Sequence, residues 1–251
     1  MIEFSITFFA LAVPAVIFAG LSKGGFGSGA AFAATPLLAL ILDPGAAIGL
    51  MLPLLMLMDV TALRPYWRQW DNESALALIV GSVPGILIGT LLYSFADPDV
   101  FRFLIGVIAV GFVGFQGVKA LGWIRKSERL LPRSAGWIAG AVAGFTSFIS
   151  HAGGPPAAVY LLSRGLTKTG FQATTVIVFW AINLLKFIPY AALGIFSYHT
   201  FLAGLILAPV AVFGVWLGVK CHRALPERLF FALTYVFLII TGAKLIYDSL
   251  T

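Results

Sequence analysis

Long apolar stretches separated by short polar connections run through the whole chain. Six of them come close to the 20 residues or so that a helix needs to cross a hydrocarbon core of about 30 Å. They lie at 46–63, 74–95, 100–121, 171–193, 200–219 and 228–247. Two further apolar regions are interrupted. The first runs from Phe4 to Leu42 and is broken by Ser22-Lys23-Gly24-Gly25-Phe26-Gly27-Ser28-Gly29; the second runs from Ala135 to Arg164 and is broken by Ser150-His151-Ala152-Gly153-Gly154-Pro155-Pro156. Beyond the breaks, 30–42 and 157–164 would make about 20 Å and about 12 Å of helix, too short to cross. Each interrupted region therefore reads as a broken helix pair, either a re-entrant hairpin or two short helices. The pattern predicts an all-α polytopic membrane protein.

The two halves of the pattern correspond. A shift of 128 residues lays Ser22 on Ser150, Lys23 on His151, Gly25 on Gly153, Pro98 on Pro226 and Gly114 on Gly242; one further residue lays Gly85 on Gly214 and Gly89 on Gly218. Each half is a broken helix pair followed by three spanning helices. An odd number of crossings per half makes the two repeats inverted, an arrangement found with paired Gly/Pro interruptions in secondary transporters. The expected organisation is one transmembrane domain over 1–251, with repeat one at 1–121, a cytoplasmic linker at 122–134 and repeat two at 135–251.

Composition agrees with the pattern. Of 251 residues, 60% are hydrophobic and 10% charged, against about 25% charged in an ordinary soluble domain; the mean hydropathy is +1.01. The net charge of +6 is concentrated in two connections. Arg125, Lys126, Arg129 and Arg133 lie in 122–134, and Lys220, Arg223 and Arg228 lie in 220–228. Cytoplasmic loops carry such an excess, and the pattern suits an anionic leaflet rather than nucleic acid. Connections at Asp43, at Asp97 and Asp99, and at 194–199 contain no Lys or Arg. Both termini are then predicted to be periplasmic. The acidic start Met1-Ile2-Glu3 lacks the cationic beginning of a signal peptide, so the first segment reads as retained. One cysteine, Cys221, and three scattered histidines give no disulfide framework and no metal site. No cofactor is expected, and without a Walker A motif any driving energy comes from ion gradients.

Unwound backbone inside a bilayer is tolerated only where it is buried in protein or lines a wet cavity, so the breaks mark the expected substrate path. A half-helix starting after Gly29 or after Pro156 would present unpaired N–H groups and a partial positive charge, which suit an anion. Pro155 and Pro156 fit a first helical turn. Candidate substrate-binding residues are Ser22, Lys23, Gly24, Gly25, Gly27 and Ser28 in the first break, Ser150, His151, Gly153 and Gly154 in the second, and Asn183 and Lys186 one turn apart on 171–193. Ionisable groups within a membrane are costly and are functional candidates by default. His151 and Asp59 are the candidates for proton coupling, His151 because bound anion and bound proton would favour each other.

Plainer roles compete with these. Gly85, Gly89, Gly214 and Gly218 read first as helix-packing glycines. Lys186 could snorkel to the outer interface, Asp59 would pair with Arg64 near a cytoplasmic helix end, and His151 could be structural. Tyr66, Trp67, Trp70, Trp123 and Trp137 read as interfacial anchors, whereas Trp180 and Trp216 fall deeper.

Through Gly-Leu-Ser-Lys-Gly-Gly-Phe-Gly at 20–27, Ser-His-Ala-Gly-Gly-Pro-Pro at 150–156 and the four-plus-four duplication, the chain resembles the sulfite exporter TauE/SafE family of bacterial membrane transporters. The resemblance covers essentially the whole chain. It implies movement of sulfite or a small organosulfonate, usually outward, across the bacterial inner membrane. The expectation is a secondary transporter and no enzyme, with a small anion and the lipid bilayer as partners and the oligomeric state open between monomer and homodimer. A passive anion channel built on the same constriction is the alternative. An intramembrane hydrolase using Ser28 or Ser150 with His151 is a reading of another class; it lacks an orienting acid and a GxSxG elbow.

Overall fold

Proline and short polar residues start most of the helices. The structure, a computed structural model, describes residues 4–26, 31–122, 131–221 and 227–251. Ser5 accepts from Phe8 N at 3.1 Å and caps α1 (Ile6–Leu21). A π-helical turn, Ser22–Phe26, continues it, and α2 (Ala34–Ala39) follows a short 3-10 turn. Pro44 opens α3 (Pro44–Leu63) and Pro98 opens α5 (Pro98–Ala120), where a missing N–H costs nothing. Between them lies α4 (Asn72–Phe95), capped by the Asp71 carboxylate on Ser74 N. The second half comprises α6 (Arg133–Ser150), α7 (Gly154–Leu162), α8 (Lys168–Ala192), α9 (Tyr198–Cys221) and α10 (Glu227–Leu250).

Ten α-helices and no strand make up the described residues, as the apolar pattern predicts. Six stretches are long and apolar enough to cross a membrane: Ile6–Gly25, α3, α4, α5, α8 and α9. The first corrects the expected start of the break at Ser22. The π turn absorbs Ser22 to Gly25 into one continuous run of 20 residues, so the helix outlasts the first glycines and only α2, at six residues, is short. In the second pair α6 has 18 residues and α7 has 9. Here α7 begins at Gly154, ahead of the expected start after Pro156, because both prolines occupy its first turn.

Packing partners exchange between the halves. The α1 helix lies against α9 as α6 lies against α4; α3 packs on α9 as α8 packs on α4; α5 meets α10 and α3 meets α8. Glycines bring the backbones together. A Cβ on Gly85 would sit 1.9 Å from Ala141 O, and one on Gly144 would sit 2.2 Å from Ser82 O. On the α1–α9 side, a Cβ on Gly218 would lie 2.5 Å from Leu21 O and one on Gly214 2.9 Å from Ile17 O. These are the close-packing roles expected for Gly85, Gly89, Gly214 and Gly218. Gly85→Ala is therefore expected to destabilise the protein by about 1–3 kcal/mol through overpacking. Gly114→Ala, on a surface with nothing within 4 Å, should leave thermal unfolding in detergent unchanged, and equal melting of the two variants would refute the distinction.

The connections that lack Lys and Arg come together at one end. Asp43, Ser197, His199 and Asp248 line a cavity of about 520 Å³ there with Arg102. At the opposite end Arg164 reaches Glu73 at 3.1 Å, tying the connection after α7 to the start of α4. Trp67 and Trp137 are exposed on the outer surface, consistent with anchoring, while Trp123 lies outside the described residues. Trp216 lies on the outward face of α9 and does not line the core: it is 49% exposed and has the Lys220 ammonium 3.9 Å above its ring. Trp180 is half-buried.

Candidate functional site

Two buried clusters meet between the ends of α1 and α6 and the middle of the bundle. The first is built on the π turn. Opening the regular ladder frees backbone carbonyls that must find other donors in an apolar interior. Gln172 Nε2 donates to Lys23 O at 2.6 Å, and Tyr66 OH donates to Gly24 O at 2.9 Å. With its backbone so held, Lys23 directs its ammonium to the Asp59 carboxylate of α3. The other oxygen of Asp59 accepts from Asn183 Nδ2 at 2.7 Å. Gln172 and Asn183, eleven residues apart on α8, thus hold the two ends of Lys23, its main chain directly and its ammonium by way of Asp59.

The second cluster is built on the end of α6. His151 stops the helix in the left-handed conformation, φ 58°, with its N–H on Ser147 O at 3.0 Å. That region is uncommon for a residue other than glycine, and histidine is among those that tolerate it. Lys186 Nζ donates to Ser147 O, Ser147 Oγ and His151 Nδ1, each at 2.9 Å. Three acceptors match the three protons of an ammonium. Because Nδ1 accepts, the ring proton is assigned to Nε2, which donates to Ile48 O of α3 at 3.1 Å. One turn beyond Lys186, Tyr190 OH donates to Phe148 O at 2.6 Å. Two side chains of α8 thus hold carbonyls in the last turn of α6, where a cation is favourably placed.

Lys23, Asp59, His151, Asn183 and Lys186 are thus brought together, and all are buried. Lys186 is 0% exposed, so it does not snorkel. Asp59 pairs with Lys23 rather than Arg64, because the π turn carries Lys23 alongside α3. Tyr66 is buried on Gly24 O and is no interfacial anchor. Ser22 is buried in the turn. Gly24 and Gly25 press on α9, where a Cβ on either would lie 2.3 Å from Val215 O or Gly218 O. Gly153 packs against Ala143 O and the Phe179 ring, and Gly154 opens α7. Ser150 Oγ donates back to Thr146 O at 3.3 Å, while both ring nitrogens of His151 are engaged elsewhere, so no Ser150–His151 dyad forms. Gly27, Ser28 and the start expected after Gly29 lie outside the described residues.

Ser147, Gln172, Tyr66 and Tyr190 complete the network and were not among the sequence candidates. For α8 a signal existed: Gln172, Asn183, Lys186 and Tyr190 fall on one helical face at spacings of three, four and eleven. Chemically, the second cluster converges an ammonium, a hydroxyl and an imidazole, three groups that can bind an oxyanion. The acceptors on Lys186 are all neutral, and no carboxylate pairs with it among the described residues.

A family model described as Sulfite exporter TauE/SafE matches residues 12–245, a stretch that includes every residue of both clusters. No curated protein and no solved structure matches the chain.

Proposed function

The chain belongs to the sulfite exporter TauE/SafE family, and on that premise we propose that it is a secondary transporter carrying a small sulfur-containing oxyanion, sulfite or an organosulfonate, outward across the bacterial inner membrane. The observation that carries this reading is Lys186, a buried ammonium held by neutral acceptors alone among the described residues. A transported anion is the counter-charge that such a group favours. It would replace Ser147 Oγ or His151 Nδ1 on one N–H, and the Ser147 hydroxyl would turn to donate to it. Exchanged packing of the two halves supports the inverted-repeat reading, and the Lys/Arg distribution supports periplasmic termini. Burial of the whole cluster favours a carrier that alternates access over an open pore. Saturable uptake of radiolabelled isethionate into proteoliposomes tests the proposal; single-channel currents far above carrier turnover would replace it with the channel.

His151 is the proton-coupling group in this reading, and Asp59 serves as counter-ion to Lys23. While Lys186 donates to Nδ1, the ring has no free site for a second proton. An anion that draws Lys186 aside frees Nδ1, so proton and anion bind together, each raising the affinity of the other by the same factor. Anion affinity should weaken from about pH 5 to about pH 8 in the wild type, after allowance for ionisation of the substrate, and stay flat in His151→Gln. Parallel profiles would remove His151 from coupling.

A further inference from the structure

The buried charges can be counted. Lys23 and Asp59 cancel each other. Lys186, with three acceptors on its three protons, contributes one positive charge, and His151, accepting at Nδ1 and donating at Nε2, is neutral. The elements that form the clusters supply no other buried charge among the described residues; Arg64, which caps α3 beyond Asp59, is exposed. On α3 Asp59 is the only ionisable side chain, while Arg133 of α6 and Lys168 of α8 stand at the far starts of their helices, about 21 Å before Ser147 and about 27 Å before Lys186. The site therefore carries one net positive charge within a buried interior.

A singly charged anion brings that count to zero. A doubly charged one leaves a negative charge uncompensated, the costliest condition for a buried ionic group. Building on the anion-transport reading, we infer that the site selects by charge: it accepts oxyanions of charge minus one directly, takes those of charge minus two only together with a proton on His151, and owes the difference to Asp59. The groups that face His151 are Lys186 and Tyr190 of α8 and Lys23 of the π turn, and Asp59 of α3 faces Lys23 and Lys186 in turn. Of these, Asp59 is the only anion among the described residues, so it alone lowers the count from two to one. Asp59 is a specificity residue that acts through the charge of the cluster and not by touching the anion.

Isethionate and sulfoacetate make a suitable pair of probes, because both are two-carbon sulfonates and sulfoacetate adds one carboxylate. Binding of each to the purified protein would be measured by calorimetry at about pH 8 and about pH 6. At the higher pH the wild type is expected to bind isethionate about tenfold or more tightly than sulfoacetate. On acidification sulfoacetate, which requires the proton, should gain more affinity than isethionate, for which the proton is optional. Asp59→Asn should reverse the order at the higher pH. The double variant Lys23→Met/Asp59→Leu removes the pair but keeps the count, and should retain the wild-type order. Equal affinities in the wild type at the higher pH, or the wild-type order in folded Asp59→Asn, would overturn the charge rule while leaving an anion transporter in place. If Asp59→Asn does not fold, the wild-type pair of probes and the double variant still decide. Binding of neither probe by folded wild type would overturn the transport reading and the rule with it.

Discussion

Lys23→Ala is expected to destabilise the protein by about 3–5 kcal/mol, the cost of leaving one member of a buried ion pair alone. Asp59 is 0% exposed and would keep a single hydrogen bond, from Asn183. It would lie buried without its counter-ion, and the π turn would lose its tie to α3. Removing both charges is a different matter. A well-packed apolar replacement of a buried pair is often neutral or stabilising, so Lys23→Met/Asp59→Leu should melt close to the wild type. Thermal unfolding in detergent checks both. A single variant as stable as the wild type would show that the pair contributes no buried charge.

Lys186→Met is expected to weaken anion binding by about ten- to a hundredfold, the equivalent of one charge-assisted hydrogen bond worth about 1.5–3 kcal/mol. Methionine keeps most of the length of the side chain and fills the same space between α6 and α8. It donates nothing to Ser147 or His151. Lys186→Arg is not a conservative control, since a planar five-donor head does not fit three acceptors grouped around one nitrogen. Isethionate binding with helix content monitored in parallel would separate lost recognition from lost folding. Unchanged affinity in a folded variant would take Lys186 out of the site.

Much of this was legible in the sequence because the bilayer imposes blunt rules. A crossing demands about 20 apolar residues, so α3, α4, α5, α8 and α9 stand out from hydropathy alone. Lys23, His151 and Lys186 stand out because charge is expensive where they lie. The partners of these residues are another matter. Whether Asp59 meets Arg64 or Lys23 depends on a π turn, and glycine content at 24–29 announces a break without showing that the helix first runs on to Phe26. Ser147 carries no warning either, since a hydroxyl in an apolar helix commonly bonds its own preceding carbonyl. For Trp216, position along the segment told depth but not which face of α9 it occupies. Charge and length are one-dimensional properties; mutual orientation is not.

The three protons of Lys186 have a second duty. They hold the last turn of α6 at Ser147 O and Ser147 Oγ, and the residue that stops it at His151 Nδ1. A ligand that claims the proton on Ser147 Oγ or on His151 Nδ1 therefore competes with the side chains that fix this helix end, and occupancy of the site loosens it. Recognition and release are then one mechanical event: the bolt that holds α6 shut is also the hand that grips the cargo. Backbone amides at 147–152 should exchange with solvent deuterium faster when isethionate is bound, the reverse of the rigidification that ligands ordinarily bring.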